Sequence, residues 1–191
     1  MNVNDSAWLA QALQARGFHE AALEYADIVC INTCSVREKP EQKVYSTIKR
    51  IESLSVHSPS LCIMGCVAQQ LGESLFAFSP NIRVLCGADG FAMLPEALEE
   101  IAIHPNKTIS FLDFTTTYRE REKGAQPAMG PCGYVNIMQG CDNFCTYCIV
   151  PYTRGRQKSR TTKAILEECR EKIACGCREL TLLGQNVNAF G

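Results

Sequence analysis

The sequence predicts an α/β protein, with an N-terminal doubly wound parallel sheet followed by the first strand–helix–strand unit of a second domain. Three observations carry this. Apolar runs at 28–31, 61–64 and 82–85 alternate with segments of helical periodicity, as in a parallel sheet covered on both faces. Residues 113–132 are polar and charged, with few large apolar side chains. Past them a strand, a helix and another strand follow. The expected boundaries are an α/β domain at 1–112, a connector at 113–132 and a second, truncated domain at 133–191.

The elements follow in order. Trp8, Leu9, Ala12 and Leu13 recur at helical spacing, with Asp5 and Ser6 as expected caps and Gly17 ending the helix. Ile28-Val29-Cys30-Ile31 reads as a strand ending at Asn32-Thr33-Cys34. Pro40 suits a first helical turn, and Val44, Ile48, Ile51 and Leu54 form one face of the helix it opens. Leu61 to Met64 is a strand ending at Gly65-Cys66, and a helix is expected from there to about Ala77. The strand Ile82 to Leu85 ends in Cys86-Gly87, and Pro95 opens a helix with Leu94, Leu98 and Ile101 on one side. In the second domain, Tyr134 to Met138 and Glu179 to Leu183 read as strands. The helix between them, from about Thr162 to Ala174, carries Ile165, Leu166, Cys169 and Ile173 on one face. Ligands of such sheets collect at the carboxyl ends of strands, near a reversal of strand order.

Composition narrows the chemistry. No apolar run approaches the roughly 20 residues that cross a bilayer, and no signal peptide pattern opens the chain. The expectation is a cytoplasmic protein without a membrane partner. In that reducing compartment its 12 cysteines point to metal ligation or catalysis rather than disulfides. A net charge of −1 offers no global basic field for nucleic acid, so any RNA contact needs a local patch.

Cys141, Cys145 and Cys148 stand at the spacing C-x3-C-x2-C. Cysteine thiolates are the usual ligands of a cubane cluster, and three from one loop leave the fourth iron open. S-adenosylmethionine, with neighbouring amino and carboxylate groups, can chelate that iron, and an electron can cleave it to a 5′-deoxyadenosyl radical. A zinc site or buried thiols is the plainer reading, but zinc sites show paired C-x2-C units or histidines in a closed set of four.

With the trio in place, Tyr134 to Arg160 (YVNIMQGCDNFCTYCIVPYTRGRQKSR) resembles the radical-SAM segment of the methylthiotransferases. Asn32 to Lys39 (NTCSVREK) and Leu183 to Asn188 (LGQNVN) are similar to the tRNA branch of that family. The resemblance implies that the second domain begins a radical-SAM partial (β/α) barrel. It also implies methylthiolation of C2 of N6-isopentenyladenosine next to the tRNA anticodon. Two 4Fe–4S clusters and S-adenosyl-L-methionine are the implied cofactors. The implied partners are the anticodon stem-loop and an electron donor such as a flavodoxin, with the enzyme a monomer. An adenine C–H bond resists ordinary base chemistry, hence one cluster for the radical and one for the sulfur.

The family's auxiliary cluster maps onto Cys34 and Cys66, which otherwise read as buried small hydrophobes. Its third cysteine precedes a Met-Asn stretch that matches Met1-Asn2 here. The chain is therefore expected to lack that ligand, and to be inactive alone. Tyr147 resembles the aromatic position that stacks on the cofactor adenine, or else packs within its own loop. Gln185 and Asn186 either bind the cofactor or line the substrate pocket, or form a polar turn before a helix. Arg37, Glu38 and Lys39 either act near the auxiliary cluster or form a charged first helical turn. Arg154, Arg156, Lys158 and Arg160 alternate, and in an extended stretch would make a cationic ridge for phosphates; solvated side chains or cofactor carboxylate ligands are the other readings. Rival functions are methylthiolation of a ribosomal protein or another modified adenosine, and a non-catalytic iron–sulfur or zinc module.

Overall fold

The computed structural model describes residues 1–36, 39–122 and 130–191. Arg37 and Glu38, and Pro127 of the expected connector, lie outside the described residues. The chain runs through α1 (Asn2–Ala15), β1 (Ile28–Thr33), α2 (Pro40–Leu54), β2 (Ser60–Gly65), α3 (Cys66–Leu71), β3 (Ile82–Cys86), α4 (Leu94–Ile103) and β4 (Ile109–Phe111). It continues through β5 (Cys132–Asn136), β6 (Met138–Gln139), α5 (Val150–Arg154), β7 (Lys158–Ser159), α6 (Thr162–Ala174) and β8 (Glu179–Leu183). These elements form two compact units, one of residues 2 and 18–113, the other of residues 1, 3–17 and 114–191. No helix among the described residues is long and apolar enough to cross a membrane.

The first unit is α/β, with a four-stranded sheet in the order β1-β2-β3-β4, every pair parallel. Strand order follows chain order, so no reversal falls among these four strands, and ligand placement here rests on the carboxyl edge alone. The core joins Val44, Ile48 and Ile51 of α2 to Leu61, Ile63, Ile82 and Leu85 of the sheet. Leu54, expected on the same face, is exposed because it is the last residue of α2. The helix expected to reach Ala77 divides at Gly72, whose φ of +58° stops α3 and leaves a 3-10 turn over Gly72–Ala77. β4 is three residues long with a serine at its centre, too short for alternation to announce it.

In the second unit β5 and β8 pair in parallel, Asn136 opposite Leu183. Val135, Ile137 and Met138 pack with Ile165 of α6, joined by Cys169 and Leu180. Leu166 and Ile173, expected on the buried face of α6, are exposed; the packed stripe is confined to the Ile165–Cys169 side. β6 and β7 form a two-residue antiparallel ladder. Asp5 and Ser6 do not cap α1 but lie within it. Asp5 is 1% exposed, because its carboxylate meets Arg121 at 2.7 Å and the Asn136 side-chain amide at 3.4 Å. An ion pair this deep is retained only with such additional bonds.

Candidate functional site

The cysteine loop begins where β6 ends. Gly140 has φ +79°, and a β-carbon there would lie 2.2 Å from Arg156 O and 2.5 Å from Gly155 O. Only glycine fits so close a backbone crossing. The Gly140 N–H donates to Gln185 Oε1 at 2.7 Å, and the Cys141 N–H to Gly155 O at 3.2 Å. Asp142 Oδ1 accepts from the Gln157 N–H and from Arg156 Nε, both at 2.9 Å, tying the loop to the chain that leads into β7. The Arg156 guanidinium lies 5.2 Å from the centre of the Phe144 ring, within cation–π range. Phe144, with φ +45°, meets Tyr152 edge-on at 6.1 Å. A turn closed by the Cys148 N–H on Cys145 O, at 2.9 Å, spaces the last two thiols.

Cys141 is buried, Cys148 half-buried and Cys145 exposed, and all three are free thiols. Tyr147 is 91% exposed, which removes packing within its own loop as an account of it. Asn186 precedes a 3-10 turn at Val187–Ala189 and caps it through its backbone oxygen rather than its side chain. Asp142 was not legible as a loop organiser; an aspartate just after a glycine-cysteine turn was its only signal.

The four alternating cations do not form one ridge. Arg154 ends α5 and is buried, and Gly155 at φ +73° turns the chain, so only Lys158 lies in a strand. Lys158 is buried and donates to Thr115 O at 3.2 Å. Arg160 donates to Asn136 O at 2.8 Å and pairs with Glu120 and Glu168. Those two carboxylates raise its pKa despite its partial burial. Arg156 alone of the four is exposed. A separate cavity of about 250 Å³ is bordered by Trp8, Tyr118, Arg121, Arg160 and Glu168, away from the cysteine loop.

In the other unit, Cys34 and Cys66 directly follow Thr33 and Gly65, which face each other in the β1–β2 register. Neighbouring strands lie ~4.8 Å apart, so both cysteines leave the same carboxyl edge side by side. Gly65 has φ +95°, and a β-carbon there would lie 2.5 Å from Thr33 O. The buried Thr33 hydroxyl donates to Met64 O at 2.7 Å and accepts the Val67 N–H at 3.0 Å. Cys66 is buried and Cys34 half-buried. Cys86 ends β3, fully buried, with its sulfur on Gly87 O. Lys39, at the N-cap of α2, has φ +49°. Among the described residues no group of three or more His, Cys, Asp or Glu side chains is drawn together to hold a metal ion. By donor chemistry, three free thiols on one loop suit an iron–sulfur cluster.

Residues 1–87 match the family described as uncharacterized protein family UPF0004. The whole chain aligns at 54% identity with a protein of Nitratidesulfovibrio vulgaris named tRNA-2-methylthio-N(6)-dimethylallyladenosine synthase, covering 43% of it. Proteins of the same name from Lawsonia intracellularis and Novosphingobium aromaticivorans are 52% and 39% identical over the whole chain, which covers 44% and 43% of them. The chain is thus similar, from end to end, to one part of these synthases. It spans less than half the length of the curated relatives it matches. The match includes both the cysteine loop and the Cys34–Cys66 edge, since it runs over all of the chain.

Proposed function

We propose that this chain serves the methylthiolation of C2 of N6-isopentenyladenosine beside the tRNA anticodon, in a cytoplasmic enzyme that uses S-adenosylmethionine and receives electrons from a donor such as a flavodoxin. The observation that carries the reading is the match of the whole chain to part of the named synthases, together with a C-x3-C-x2-C loop anchored on either side of Cys141. Cys141, Cys145 and Cys148 would hold a 4Fe–4S cluster, which when bound supplies the one-electron chemistry that cleaves S-adenosylmethionine. Three thiolates from one short loop leave one iron open to the cofactor. Tyr147, bare to solvent, is available to stack on an adenine ring, and Asn186 follows the neighbouring strand end. Cys34 and Cys66 supply two thiolates for the second cluster, at the edge of a different sheet.

The test is anaerobic reconstitution of the chain with iron and sulfide, followed by iron counting, electron paramagnetic resonance and an assay for 5′-deoxyadenosine. A brown protein whose signal changes when S-adenosylmethionine is added, and whose iron is lost in a Cys141→Ala, Cys145→Ala, Cys148→Ala variant, is the expected result. A colourless chain that takes up zinc instead overturns the cluster reading. Bulk tRNA from cells lacking the gene is expected to lose the methylthio mark, and its retention overturns the substrate.

A further inference from the structure

Gly184 and Gln185 come directly after β8, whose last residue is in register with Asn136 of β5. The backbone is drawn tight there: a β-carbon on Gly184 would lie 2.5 Å from Met138 Cγ, and Met138 is fully buried. With no side chain in the way, the chain approaches β6 closely, and the side chain of Gln185 reaches the residue that follows β6. Its Oε1 accepts the Gly140 N–H at 2.7 Å across 45 residues of sequence. Gly140 has little freedom to turn away, because the Gly155 and Arg156 carbonyls crowd it. Its neighbour Cys141 spends its own N–H on Gly155 O. The first thiol-bearing residue is thus set from two directions, by the Gly155–Arg156 turn and by one amide side chain.

That side-chain oxygen is engaged with the backbone at the start of the cysteine loop. We propose that Gln185 is a positioning residue, which by accepting the Gly140 N–H sets the start of the loop so that Cys141 is presented with Cys145 and Cys148 before a cluster assembles. The inference rests on the reading of those three cysteines as cluster ligands.

The experiment compares the full 191-residue chain with Gln185→Met, which keeps length and loses the acceptor, and Gln185→Glu, which keeps an acceptor. In the metal-free protein, amide hydrogen exchange at Gly140 is expected to speed up about five-fold in the Met variant, as for the loss of one ordinary hydrogen bond. Exchange in the Glu variant is expected to match the parent. After reconstitution, the Met variant is expected to lose iron faster to a chelator, with S-adenosylmethionine affinity per loaded cluster unchanged. Unchanged exchange at Gly140 in the Met variant overturns the proposal. So does a fall in S-adenosylmethionine affinity with exchange and iron retention intact, which makes Gln185 a direct ligand. If the Met variant loosens β5 and β8 as well, the Glu variant decides: parental protection at Gly140 supports the proposal, and lost protection overturns it. A parent chain that binds no iron sinks the cluster reading alone, because exchange at Gly140 needs no metal.

Discussion

Thr33 Oγ1 accepts the N–H of Val67 at 3.0 Å while donating to Met64 O at 2.7 Å, so one buried hydroxyl bridges the end of β2 and the first turn of α3. Cys66 lies between those two contacts. Thr33→Val keeps the shape and leaves the Val67 amide without its acceptor, a loss of about 1–3 kcal/mol for a buried group. A fall of several degrees in melting temperature is expected, with Thr33→Ser recovering most of it. A valine variant that melts with the parent would show that the bridge contributes nothing.

Gly140→Ala is expected to be the most damaging single methyl in the second unit. The clash is with the backbone carbonyls of Arg156 and Gly155, which no side-chain rotation relieves, and the left-handed φ adds about 1–3 kcal/mol of strain. Denaturant titration is expected to show a loss of at least ~2 kcal/mol. Gly176→Ala, at a similar φ but with open space around it, is expected to cost less. Equal losses at the two positions would remove crowding from the account.

Alkylation of the metal-free chain with iodoacetamide at near-neutral pH should label Cys30, Cys132 and Cys145 first, since their side chains are exposed. Cys62, Cys66, Cys86 and Cys177 are buried and should be spared. Cys62 is protected twice, because a hydrogen bond with Cys30, and then burial, push its thiol well above the ordinary 9.0 and suppress the reactive thiolate. Peptide mass mapping over time gives the order. Early labelling of Cys62 would contradict its place in β2.

Tyr118 gives an alkaline signature. Burial raises its pKa above the ordinary 10.0, against the lowering influence of Arg121 and Arg160. The folded state therefore favours the neutral phenol. Its contribution is complete below pH 10 and is lost as pH rises through the folded value. Tyr118→Phe removes that titration, so the variant is expected to gain on the parent above pH 10, by no more than ~1.4 kcal/mol per pH unit. Denaturation midpoints at pH 9 and pH 11 measure the change, and an identical gap at both would refute it.

Much of this molecule was legible from the chain alone. The apolar runs at 28–31, 61–64 and 82–85 became β1, β2 and β3 of one parallel sheet, and Pro40 and Thr162 begin α2 and α6 as periodicity requires. Those features are local, set within a few residues by alternation, proline geometry and capping. The C-x3-C-x2-C spacing is likewise written in eight consecutive residues. Tertiary structure decided the rest. Alternation suggested one cationic ridge from Arg154 to Arg160, but α5 and the turn at Gly155 bury Arg154 and Lys158 and hand Arg160 to two glutamates. Only strand register sets Thr33 opposite Gly65, and only the return of the chain after β8 brings Gln185 to Gly140. Contacts of that kind join segments tens of residues apart, and their free energy comes from packing that exists only once the whole unit has closed. The sequence by itself determined which elements form and which thiols share a loop; the folded core determined which residues hold that loop in place.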